Sequence, residues 1–175
     1  MFGYFYNESI RKLVVAFGSM FNDIRIESVN SAGQTEETRL PLSYGPKEKY
    51  MRRIEEQSSI SNSGKVLITL PRLGFNITNM TYDSTRKRNT LQKRRTTPSG
   101  ASGGIMSYAY SEVPYNFEFS LYGFVRNMND ALQISEQILP YFTPEFNVTM
   151  NFNDLNKTVD IPIVLNSVSM EEDYE

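Results

Sequence analysis

The chain has 175 residues, 39 % of them hydrophobic and 22 % charged. That is about one domain, long enough to remove roughly 70 % of its unfolded surface from water on folding. Its 18 basic and 20 acidic residues nearly cancel, for a net charge of −2, so no global field draws it to DNA or to a membrane. It has no cysteine and no histidine, which excludes a disulfide framework, a thiol nucleophile, Cys-based metal sites and a Ser-His-Asp triad. An enzyme with this composition would rely on carboxylates, Lys, Tyr or a hard cation such as Mg²⁺. The balance leans toward a binding or structural role.

The opening residues lack a basic leader, and no apolar run approaches the roughly 20 residues of a membrane-spanning helix. Neither a signal peptide nor a membrane segment is therefore expected. Asn7, Asn76, Asn79, Asn147 and Asn156 begin N-x-S/T triplets, a chance product of an Asn- and Thr-rich chain.

Asn7 has the chemistry of a helix N-cap, and Ile10, Leu13, Val14, Phe17 and Phe21 follow it at helical spacing. Ile24 and Ile26 then alternate with charged residues, which predicts a half-buried strand. A turn at 30–33 and a second strand to about Leu42 complete a hairpin. Pro46 opens a second helix whose apolar face holds Tyr50, Met51 and Ile54. Val66, Ile68, Leu70, Leu73, Phe75 and Ile77 read as strand interrupted at Pro71. Residues 83–104 break the pattern. Arg86, Lys87, Arg88, Lys93, Arg94 and Arg95 place six positive charges in ten residues, followed by a Gly/Ser-rich stretch, so the segment is expected to be a long, flexible basic loop. Aromatic strands follow at 108–110 and 115–124, then a helix capped by Asn127 or Asn129 and ended by Pro140. Two more strands carry Phe146 to Phe152 and Val159 to Val168. The expected fold class is α+β: one domain over 1–175, with an antiparallel or mixed β-sheet flanked by about three helices.

No motif carries chemistry. In Ser63-Gly64-Lys65-Val66, Val66 stands where a phosphate loop needs Ser or Thr. Gly100 to Gly104 lacks the strand-and-helix context of a dinucleotide site. The pairs Glu36-Glu37 and Glu55-Glu56 point to different sides of their elements, so neither makes a convergent acid–base dyad. The expectation is no catalytic, cofactor or metal residue. The final five residues hold four carboxylates, a solvated tail or a contact for a basic partner. The basic stretch admits three readings: a solvated loop, a protein contact, or a phosphate contact with nucleic acid.

Several strings, taken together and in order, resemble one family. They are the opening MFGYFYNESIRKLVVAFGSMFNDIRI, LPLSYGPKEKYMRRI, ITLPRLGFNITNMTYD, SEQILPYFTPEFNVTM and DIPIVLNSV. The chain is similar to the tail sheath stabiliser and tail-completion (tail terminator) proteins of T-even-like contractile-tailed bacteriophages, from Met1 to about Glu172. The resemblance implies a structural virion protein without enzymatic activity or cofactor. It implies a homo-hexameric ring at the head-proximal end of the tail that binds the tube terminator, the last sheath ring and neck proteins, stabilises the extended sheath and helps join tail to head. Assembly in the host cytoplasm would follow. The family's members run past the equivalent of Glu175, so a C-terminal truncation is also expected. No family role attaches to Arg86 through Gly104; facing DNA in the ring lumen, or an acidic partner, are the roles open to it. A nucleic-acid-binding accessory protein using the basic loop is the alternative function.

Overall fold

A computed structural model describes residues 3–4, 6–29, 33–59, 68–89, 91–96, 107–143, 145–151 and 158–172. Helix α1 spans Ser9–Met20, followed by β1 (Arg25–Val29), β2 (Thr35–Arg39), β3 (Leu42–Tyr44) and α2 (Lys47–Ser59). Next come β4 (Arg72–Tyr82), β5 (Lys93–Thr96), β6 (Ser107–Tyr110) and β7 (Tyr115–Phe124). Helix α3 (Met128–Ile138), β8 (Glu145–Asn151) and β9 (Thr158–Val164) complete the order. The class is α+β with three helices among the described residues, as the patterning predicts. The described strands form four separate sheets: antiparallel hairpins β1–β2, β5–β6 and β8–β9, and a mixed sheet of order β3-β4-β7.

The mixed sheet organises the molecule because its two faces carry different side chains. On β4, Leu73, Phe75 and Ile77 point to one face, opposite Gly123, Leu121 and Phe119 of β7. Helix α1 lies on that face. Phe17 stacks on Phe119 with ring centroids 4.3 Å apart and sits 5.3 Å from Phe75. Gly18 lets the helix come this close, since a Cβ there would stand 3.0 Å from the Phe75 ring. Phe17, Phe21, Ile24, Ile26, Leu40, Leu73, Phe75 and Ile134 form the buried core, each side chain contributing roughly 1.5–3 kcal/mol.

The opposite face presents Gly74, Tyr122 and Phe124 to α2. Tyr50 of α2 is buried there, with ring centroids 5.8 Å from both Tyr122 and Phe124, and its hydroxyl pairs with Ser43 Oγ at 2.7 Å. Gly74 makes the room, because a Cβ there would run into the Tyr122 ring. Burial pushes the Tyr122 hydroxyl up to about 12, aided by neighbouring Tyr50, Glu48 and Tyr44.

Several sequence expectations are corrected. Glu8, in the left-handed region at φ 55°, is the N-cap of α1 in place of Asn7, and Ile10 is exposed. The second strand stops at Arg39. Leu40 turns into the core, and Leu42–Tyr44 leaves the hairpin to pair in parallel with β4. The strand expected from Val66 to Ile77 begins only at Arg72, just after Pro71, as β4; Val66 lies outside the described residues. Residues 83–104 are not one long loop. Ser84–Arg86 is a 3₁₀ turn, and Lys93–Thr96 is strand β5, paired in register with Ser107–Tyr110. The residues of the expected loop from 97 to 104, Thr90 and Phe152 lie outside the described residues, and β9 stops at Val164, short of the expected Val168.

Candidate assembly surface

The candidate site is the set of surfaces that a partner could pair with or cover. Among the described residues no group of three or more Asp or Glu is placed to hold a metal. Nor is any described helix long and apolar enough to cross a membrane.

The ribbon β4–β7 outgrows the helices. Its register slips at a β-bulge between Ile77 and Asn79, where the Thr78 hydroxyl donates to the Glu118 carbonyl at 3.2 Å. A bulge bends and twists a ribbon. Beyond it, residues 78–82 are all exposed, and the ribbon ends in an edge-on Tyr82–Tyr115 pair with centroids 5.6 Å apart. Hairpin β5–β6 is inserted in the connection between β4 and β7, so ribbon and hairpin form one arm. Large apolar side chains stand in solvent along it: Leu91 is 83 % exposed, Val113 64 %, Tyr110 62 % and Met80 51 %.

The six basic residues all lie on this arm, in different situations. Arg86 is a clamp. Its guanidinium donates to the Asp83 carboxylate at 2.6 Å and also to the Asn116 side chain, fastening the 3₁₀ turn to β7. The Thr85 hydroxyl (2.6 Å) and backbone N–H (2.9 Å) also donate to Asp83. Together, the Thr85 hydroxyl first and Arg86 next, they hold the Asp83 carboxyl down to about 2. Lys87 and Arg88 follow in the connection to β5, with Arg88 3.4 Å from Glu112. Lys93, Arg94 and Arg95 are consecutive on β5, which puts Lys93 and Arg95 on one face. Lys93 Nζ lies 5.2 Å from the Tyr110 ring, a cation–π contact. The structure thus supplies an aromatic partner that the linear basic stretch lacks.

Free strand edges are the second ingredient, because they template pairing with another chain. Three are managed visibly. The outer edge of β1 is closed by two glutamines one turn apart on α3. Gln137 accepts from the Arg25 N–H (3.2 Å) and donates to its carbonyl (2.6 Å), while Gln133 does the same for Glu27 at 2.8 and 3.3 Å. Their amide groups stand in for a neighbouring strand. On β9, Pro162 lies opposite Asn147 and has no N–H to donate. Strand β2 (Thr35–Arg39) is exposed throughout and carries Glu36, Glu37 and Arg39. Among the described residues, strand β7, ten residues long, pairs with β4 on one side only.

Residues 165–172 run without helix or strand after β9, exposed throughout, with Val168 and Met170 in solvent. Lys47 Nζ of α2 meets the Glu171 carboxylate at 2.7 Å, and this bond holds the Glu171 carboxyl below its ordinary range.

Sequence reasoning finds the basic residues but misses the bulge that projects them and the glutamine pair that closes β1. Spacing carries the second signal: Gln133 and Gln137 fall at i and i+4 on the face of α3 that meets β1.

The family model for the T4-like virus Myoviridae tail sheath stabiliser matches residues 4–175. A relative, the tail completion protein gp15 of Enterobacteria phage T4, is 36 % identical over 178 aligned residues. The match takes in 98 % of this chain and 64 % of the relative.

Proposed function

The chain belongs to the tail sheath stabiliser family of T4-like Myoviridae, and from that premise we propose that it is a structural virion protein completing the contractile tail. The observation that carries the reading is the continuous family match over residues 4–175. Its subunits form a six-fold ring at the head-proximal end of the tail, contact the tube terminator and the last sheath ring, and offer the neck a joining surface. Residues 1–175 act in this as one α+β unit.

The fold suits such work. A ring of identical subunits needs a heterologous contact, two different patches per subunit that close after a fixed rotation. The described surface supplies unlike patches: a projecting arm with basic and apolar side chains, and, among the described residues, an open edge at β7. Glutamines and proline blunt other edges, which limits pairing to chosen places. Stabilisation of the sheath needs no chemistry. A ring that binds the extended sheath and not the contracted one shifts that equilibrium by its differential affinity.

The experiment is completion in vitro. Tails assembled without this protein are mixed with the purified chain and challenged by dilution into low salt. The proposal requires the added chain to bind the tail end and raise the fraction of extended sheaths. Tails that contract equally with and without it would refute the role.

A further inference from the structure

Two surfaces of opposite character face solvent. One is the arm, where Lys87, Lys93 and Arg95 stand beside exposed Leu91 and Tyr110, and where β5 is paired on one side only among the described residues. The other is the segment after β9, with Val168 and Met170 exposed, no ladder of its own, and Glu171 and Glu172 at its end. It is neither helix nor strand, apolar at alternate positions and then acidic, the reverse of the arm in charge and its match in apolar content. The bond from Lys47 to Glu171 joins two exposed side chains. An exposed pair of that kind is worth little and exchanges readily.

We propose that the segment 167–172 of one copy of this chain docks along the basic hairpin β5–β6 of a second copy. Val168 and Met170 then cover Leu91 and Tyr110, Glu171 and Glu172 approach Lys93 and Arg95, and the backbone adds to the open edge of β5. The contact is head-to-tail: each copy gives a segment and receives one, so it repeats around a ring. This rests on the ring reading above and names the patches that would close it. Both contributions are short, so the contact is weak for a pair and gains strength when a template holds several copies in place.

Because the chain has no cysteine, single introduced thiols report the contact directly. Glu172→Cys and Arg95→Cys variants are mixed and oxidised, both free in solution and bound to tails that lack this protein. Thr38→Cys with Arg95→Cys serves as the control pair. The expected result is up to about fivefold more mixed dimer from the first pair than from the control, the margin that the remaining Glu171–Lys93 ion pair would give. The cross-link should fall when Lys93→Glu is added to the Arg95→Cys chain and return when Glu171→Lys is added to its partner. Equal cross-linking of the control pair, or no cross-link on tails that do bind the chain, overturns the contact while leaving the tail role intact. A Glu172→Cys/Arg95→Cys double variant that closes within one chain at high dilution also overturns it. So does saturation of the arm by duplex DNA with steep salt dependence and no change on segment mutation. If the chain fails to bind tails yet gives the cross-link in solution, the contact stands and the tail role falls.

Discussion

Replacing Gln133 and Gln137 together by Ala removes the side chains that close the outer edge of β1. Four hydrogen bonds to β1 disappear, at 2.6, 2.8, 3.2 and 3.3 Å, together with the bond within α3 from Gln137 to the Gln133 carbonyl. A net intramolecular hydrogen bond is worth about 0.5–1.5 kcal/mol. Arg25 and Glu27 are exposed, so water can replace the lost partners and the lower end applies, about 2 kcal/mol for the four. Ala is the better helix former by a few tenths per site, which leaves a net loss of about 1–1.5 kcal/mol. For a chain of this size that corresponds to a fall in Tm of roughly 2–6 °C. The sharper readout is amide hydrogen exchange. The Arg25 and Glu27 N–H groups should lose protection relative to β4, whose ladder the substitution does not touch. An open β1 edge should also increase concentration-dependent association. Unchanged exchange at Arg25 and Glu27 together with an unchanged Tm would refute the claim that the glutamines serve as a surrogate strand.

Gly74→Ala should lower stability by about 1–3 kcal/mol, as overpacking does, because the new methyl meets the Tyr122 ring, and Tyr50, 3.2 Å from the same methyl, hinders its retreat; chemical denaturation measures it. Phe17→Ala should cost about 3–5 kcal/mol by opening a cavity under α1 against Phe75 and Phe119, read by the same assay. The Asp83 carboxyl is depressed from 3.8 to about 2, so its contribution to the arm's turn is fully present above about pH 4 and is lost as pH falls through about 2. A carboxyl NMR titration with its midpoint near the ordinary Asp value of about 4 would contradict the clamp, and Asp83→Asn should release Arg86 from the turn at neutral pH.

Legibility in the sequence followed the strength of the local pattern. The stripe through Val14, Phe17 and Phe21 and the alternation through Ile24 and Ile26 predict the elements that build the core, and the core confirms them. The hairpin β8–β9 is equally plain, with Phe146, Val148 and Met150 opposite Ile163, Ile161 and Val159 on one face. What failed depends on contacts remote in sequence. Leu42–Tyr44 is too short to announce itself, and it is a strand only because Leu73–Phe75 lies beside it. Lys93–Thr96 has the composition of a loop, and it is a strand because residues 107–110 pair with it. Asn7 has cap chemistry, yet Glu8 takes the cap position without a side-chain bond. The basic residues were visible as a cluster, while their division into a clamp at Arg86 and a face at Lys93 and Arg95 required the fold.

Counting copies bound to a completed tail tests the central claim most directly. Isolated tails lacking this protein are saturated with the purified chain, freed of excess and analysed by quantitative mass spectrometry and electron microscopy. The account predicts six copies per tail, located as a ring at the head-proximal end above an extended sheath. Chain scattered along the sheath, or absent from tails that stay extended without it, would contradict the account.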